Sequence, residues 1–185
     1  VKMRVVDIVS GYAEGKLHVA MDRLPGQKAR VTEAIDKVQT IMKSAVDAAV
    51  ANARVVQALN KASTNVMIAD NTNTIIFMND TVLEMMRRNE TELRKSLPNF
   101  NASTLMGQNI DVFHKNPAHQ RGLLSALKST YRTQIQVGSL YFVLNANPIL
   151  NAQGERLGTV VEWFDRTAEV KAEGDTPLLW VIRDE

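Results

Sequence analysis

Asn65-Val66-Met67-Ile68-Ala69-Asp70-Asn71-Thr72-Asn73-Thr74-Ile75-Ile76-Phe77-Met78 is where the apolar period of the chain changes. Upstream of it, apolar residues recur at helical spacing. Here two short runs rich in Val, Ile, Met and Phe flank Asp70-Asn71-Thr72-Asn73, the composition and length of a β-hairpin. Downstream, Asp80 or Thr81 is placed to cap a helix running through Arg88, with Val82, Leu83, Met85 and Met86 as its apolar face. A loop around Leu97-Pro98-Asn99 follows, and Pro117 opens another helix carrying Leu123, Leu124 and Leu127 on one side. Three strands are expected at 131–137, 140–150 and 157–164, joined by turns at Gly138-Ser139 and Asn151-Ala152-Gln153-Gly154. Two strands, short helices and three antiparallel strands give an α+β domain with helices on one side of a five-stranded sheet.

Before residue 64 the chain reads as helical. Val5, Ile8, Val9 and Tyr12 form one amphipathic stripe that Gly11 and Gly15 weaken and end. Leu17, Val19 and Met21 alternate through a connector, where they are expected to lie along helices, and Leu24-Pro25-Gly26 makes a turn. From Arg30, the positions Val31, Ile35, Val38, Met42, Ala45, Ala49, Asn52, Val56 and Leu59 alternate spacings of four and three. That is a coiled-coil seam on a helix of about 30 residues, roughly 45 Å long. A parallel homodimer would cover it. Asn52 is the polar seam residue that fixes register at some cost in stability.

Composition removes several functions. The 185 residues hold 22 basic and 20 acidic side chains, a net charge of +2 with no basic stripe, so a nucleic-acid partner is not expected. Cysteine is absent, which excludes disulfides and thiolate metal sites and fits a reducing compartment. No apolar run approaches the ~20 residues of a membrane-spanning helix. The chain opens inside a periodic segment without an initiator Met or an N-cap, and so reads as a piece of a longer protein. No Gly-rich phosphate loop, Gly-x-Ser-x-Gly elbow or triad context is present, and no enzyme activity is expected. A helix could begin after Thr167, but Gly174 and Pro177 interrupt it, and residues 168–185 form an unassigned tail.

Only His18, His114 and His119 could serve as an imidazole ligand to a metal. His18 lies in the helical half. His114 follows Val112-Phe113 just before the Pro117 helix, and His119 falls in that helix's first turn, so the residues alone leave both open.

Helix, spaced connector and in-phase second helix resemble a HAMP relay over residues 1–50, with 51–63 as a helical linker. Leu24-Pro25-Gly26-Gln27-Lys28 departs from the acidic pair that opens the second helix in many such domains. The segments Asn65 to Asp70, Ile76-Phe77-Met78-Asn79, Asp111-Val112-Phe113-His114-Lys115-Asn116-Pro117-Ala118-His119-Gln120 and Gly158 to Thr167 resemble the heme-carrying PAS domain of soluble bacterial chemoreceptors over residues 64–167. The opening strand and Asp165-Arg166-Thr167 are general to signalling PAS domains. The Phe-His-Lys-Asn-Pro segment paired with a strand tryptophan is more specific. The resemblance implies a PAS fold, heme b with His114 as proximal ligand, Leu144 over the heme, and Trp163 on the distal side as a donor to bound oxygen. It further implies a cytoplasmic receptor sensing a diatomic gas (O2, CO or NO), with its signalling output outside these residues. The competing expectation is a PAS module that holds flavin, another small ligand or none, and serves dimerisation.

Overall fold

The chain divides into two units, Val1–Gln57 and Ala58–Glu185. The computed structural model describes residues 2–114 and 117–172; Lys115, Asn116 and the interrupted tail from residue 173 lie outside the described residues.

In the first unit, α1 (Lys2–Ala13) stops before Gly15, whose φ of 84° ends the helix, and α2 (Ala29–Asn60), which begins there and ends in the second unit, runs for 32 residues. The connector between them has no regular hydrogen bonding, so side chains satisfy its backbone. Gln39 Nε2 donates to the Leu17 and Val19 carbonyls at 2.7 and 2.9 Å, Tyr12 Oη donates to Val19 at 2.8 Å, and the Leu24 N–H donates to Thr32 Oγ1 at 3.2 Å. This explains why polar Thr32 and Gln39 are buried. Tyr12, Met21 and Ile35 form the small core, with Leu17 and Met42 packed against it. Two expectations change. Val19 is exposed and contributes backbone hydrogen bonds in place of its side chain, and Ile35 packs in the small core of this unit. Val31, Val38, Ala45, Ala49, Asn52 and Val56 of the expected seam are exposed.

The second unit is an antiparallel sheet in the order β2-β1-β5-β4-β3, built from β1 (Asn65–Asp70), β2 (Ile75–Met78), β3 (Tyr131–Val137), β4 (Leu140–Leu150) and β5 (Arg156–Asp165). One face packs against α3 (Asp80–Arg88), α4 (Glu90–Ser96), α5 (Pro117–Ser125) and intervening 3-10 turns. The expected strand pattern holds, since Thr159 and Trp163 are buried on this face while Phe164 is exposed. Gly158 permits close approach of β5 to β1, because a Cβ there would stand 2.2 Å from the Ala69 carbonyl oxygen.

The α3 cap is Asn79, neither Asp80 nor Thr81. Its Oδ1 accepts from the Val66 and Val82 N–H groups at 2.9 and 3.2 Å, and its Nδ2 donates to the Leu59 and Thr64 carbonyls at 3.0 and 2.8 Å. One fully buried amide therefore starts α3, fixes the edge of β1 and takes up a carbonyl in the last turn of α2. The α4 helix was not evident in the sequence. Its Glu92 accepts from the Ser139 N–H at 3.0 Å in the β3–β4 turn, and Lys95 followed by Ser139 lowers the Glu92 pKa to about 2.

At the other end of the sheet, Asp165 accepts from the Thr167 N–H at 3.0 Å and faces Asn89 and Arg88, while Thr167 Oγ1 accepts from the Tyr141 N–H at 3.0 Å. This junction ties β5 and β4 to α6 (Thr167–Ala172). Burial raises the Asp165 pKa, but the Thr167 hydrogen bonds, then Asn89 and Arg88, outweigh it and hold the carboxyl below its ordinary value. A depressed folded pKa contributes stability above the unfolded value of about 3.9 that is lost as pH falls through the folded one. Asp165→Asn should therefore cost stability at pH 7 and much less at pH 3. Urea midpoints at both pH values check this, and an equal difference at each would contradict it.

Candidate functional site

The segment from Asn109 to His114 turns its Ile110, Val112 and Phe113 toward the core, and side-chain capping shapes its start. Asn109 Oδ1 accepts from the Asp111 N–H at 3.1 Å and starts a 3-10 turn over Ile110–Phe113. His114 ends that turn in an extended conformation, its N–H donating to the Asp111 carbonyl at 3.0 Å. Arg121 on α5 holds the Asp111 carboxylate with two donors at 3.2 and 2.5 Å, which fixes the turn against the following helix. The turn also brings the Ile110 carbonyl to 3.0 Å from His114 Nδ1. A carbonyl can only accept, so this contact places the proton on Nδ1 and favours the tautomer whose Nε2 carries the lone pair. That tautomer is the one a metal-ligating imidazole commonly uses.

The three histidines sit in different environments. His114 is half-buried, whereas His119 on α5 and His18 in the connector of the first unit are exposed. Of the two candidates that the residues alone leave open, His114 is the more buried.

Trp163 is 6% exposed and lies on the covered face of β5. Its ring centroid is 5.4 Å from that of Phe113 and 5.7 Å from that of Phe142, the latter edge-on, and Phe100 continues the series 5.8 Å from Phe113. Phe113 adjoins His114, so this aromatic series joins the histidine turn to the sheet. Leu144 is directly opposite Trp163 in the β4–β5 register and packs on the same core. The structure thus places the turn carrying His114, Leu144 and Trp163 around one apolar region. Phe100, Phe113 and Phe142 complete it, and nothing about their sequence spacing marks them as a set.

One polar atom stands out in that region. Trp163 Nε1 is buried and makes no hydrogen bond, although a buried donor without an acceptor costs about 1–3 kcal/mol. An apolar region with one oriented imidazole and one unsatisfied donor offers a metal-ligating nitrogen and a hydrogen-bond donor to a polar group bound there. A cavity of about 110 Å³ elsewhere on the domain is lined by Arg132, Gln134, Tyr141 and Arg166 among others, and by none of His114, Leu144 or Trp163. Among the described residues no group of three His, Asp or Glu side chains could hold a metal by itself. Among the same residues no helix is long and apolar enough to cross a membrane.

Comparisons with known proteins agree with this architecture. Residues 1–43 match the HAMP N-terminal domain 3 family. The methyl-accepting chemotaxis protein McpB of Pseudomonas aeruginosa is 50% identical over 97% of this chain, which spans 27% of that relative's length. A solved structure of the Aer2 receptor from Vibrio cholerae, described as a dual PAS-heme oxygen sensor, is 39% identical with a TM-score of 0.51. The match covers 55% of this chain and 93% of that one.

Proposed function

We propose that this chain, whose second unit belongs to the PAS domain family and whose first 43 residues match a HAMP N-terminal domain, is the gas-sensing module of a cytoplasmic chemotaxis receptor that holds heme b through His114. The observation that carries the reading is the buried, unpartnered Trp163 N–H, set in one aromatic series with the residue next to an imidazole of fixed tautomer. Support also comes from similarity to a chemotaxis protein and to a PAS-heme sensor. Residues 1–50 act as a HAMP-like relay, 51–63 as the linker and 64–167 as the sensor. The exposed seam of α2 is covered by a second copy in a parallel homodimer, and the signalling output lies outside these residues.

When bound, heme supplies an iron that takes up a diatomic gas, O2 foremost, with CO and NO as alternatives. The protein's own groups do the rest. The Ile110 carbonyl holds the His114 ring and raises the basicity of its ligating nitrogen. Leu144 and the phenylalanines exclude water. Trp163 offers its N–H to a polar ligand at the site's centre, and that contact couples to output because Trp163 lies two residues before the Asp165–Thr167 junction with α6. Any response is limited by how differently the ligand binds two arrangements of the sheet.

Trp163→Phe keeps the aromatic body and removes the donor. A neutral donor in an apolar pocket contributes about 1 kcal/mol, so the variant should keep heme, bind CO nearly normally and release O2 about fivefold faster. Oxygen dissociation, autoxidation and CO affinity measure this. Equal oxygen dissociation in the two proteins would assign Trp163 to packing alone.

A further inference from the structure

β5 carries a second unsatisfied donor group. Arg156 follows the Asn151–Gly154 turn, and its guanidinium folds back along the strand so that Nη2 donates to Thr159 Oγ1. Thr159 is 1% exposed, pairs with Ala69 and Pro148, and shares the covered face of β5 with Trp163. Arg156 Nε and Nη1 are buried and make no hydrogen bond. Arginine stays charged at all physiological pH values, so the fold buries part of a cation that no carboxylate among the described residues pairs with.

The adjacent acids are committed elsewhere. Asp70, opposite Gly158 in the β1–β5 register, accepts from the Thr72 N–H and hydroxyl and from the Thr74 N–H in its own turn. Glu155 accepts from Asn151 Nδ2 at 2.7 Å. A guanidinium with two parallel donors left over matches a carboxylate bidentately. Thr159 lies four residues from Trp163 on the same face, roughly 13 Å along an extended strand. That span suits a porphyrin whose centre lies near Trp163 and whose acidic side arms reach outward.

We infer that Arg156 is the anion-receiving group of this pocket, taking a carboxylate of the ligand held beneath the sheet, a heme propionate if the function proposed above holds. The assignment rests on that reading. It would give the domain a polar anchor separate from His114, and it accounts for a buried cation that no carboxylate among the described residues is seen to pair with.

Heme release to an excess of a scavenging apoprotein, followed by absorbance, tests it in wild type, Arg156→Met and Arg156→Lys. Arg156→Met should release heme about tenfold faster or more, and Arg156→Lys should fall between, since lysine keeps the charge without the fork. Heme dimethyl ester, which lacks the carboxylates, should leave wild type and Arg156→Met at equal rates. Without heme, Arg156→Met should melt no lower than wild type, because it removes an uncompensated buried cation. Equal heme release by wild type and Arg156→Met overturns the assignment, as does acceleration of ester release by the same factor, which would show only a loosened fold. Should Arg156→Met not fold, wild type alone decides it, because indifference to esterification overturns the assignment and faster loss of the ester supports it. A wild type that takes up no heme under any loading defeats the proposed function and this assignment together, a result distinct from two proteins that hold heme equally well.

Discussion

Replacing His114 with alanine should give a folded chain that no longer retains heme, while His119→Ala should retain it at the wild-type ratio. The two imidazoles are five positions apart in a segment that sequence alone reads either way. His114 ends a turn that Asn109 caps and Arg121 clamps through Asp111, and the Ile110 carbonyl fixes its ring. His119 is exposed on α5. A single axial ligand contributes most of the orientation-specific affinity of such a site, so its loss should be visible as near-complete loss of heme after purification. Added imidazole should restore part of the spectrum of His114→Ala by filling the ligand position. Retention of heme by His114→Ala together with loss by His119→Ala would reverse the assignment.

Asn79→Ala should destabilise the second unit by about 3 kcal/mol, the largest effect expected of a substitution outside the pocket. The amide makes four hydrogen bonds, all buried or partly buried. Removing it strands the Val66 N–H, deletes the α3 cap and leaves the Leu59 and Thr64 carbonyls with only the Ala62 N–H and Thr81 Oγ1 as donors. A cap loss costs about 1 kcal/mol and each buried unsatisfied group about 1–3, with partial rescue by water keeping the sum well below the total. Asn79→Asp is the sharper test. It keeps both acceptor contacts but turns a carboxylate oxygen toward two carbonyls, so its ionised form is disfavoured in the fold and its folded pKa should rise. Stability of that variant should be lowest at neutral pH and recover as pH falls toward the carboxyl range and the lost donor returns. Urea denaturation at pH 7 and pH 5 measures both variants. A loss near zero for Asn79→Ala would mean that neither the Val66 N–H nor the start of α3 depends on it.

The contrast between these residues shows what was legible in the sequence. The strands were readable because β-rich apolar runs are bounded by turn residues at Gly138-Ser139 and 151–154, and the long α2 because its apolar residues alternate spacings of four and three without Gly or Pro. α4 was not readable, since Leu93 is its one buried residue in an otherwise polar run. The α3 cap was displaced by one because Asn79, Asp80 and Thr81 are all cap-forming types. Burial against β1, a tertiary fact, selects Asn79. In the first unit the buried Gln39 and Thr32 break the apolar pattern because they serve the connector's backbone, a need that periodicity does not express. The assignment of His114, Leu144 and Trp163 to one site came from family resemblance, while alternation only grouped Trp163 with Thr159 and Val161, and Leu144 with Phe142 and Ala146. The Ile110 carbonyl and Arg156 were invisible. The first depends on the direction of a peptide plane, and the second reads as an ordinary charged residue after a turn.

The most direct test of the heme assignment is the absorption spectrum of the purified chain after loading with hemin, with the heme-to-protein ratio determined on the same sample. A Soret band that shifts on reduction and again on addition of CO, at about one heme per chain, is the predicted result. A chain that shows no Soret band after loading, or that carries flavin-type absorption instead, would contradict the account.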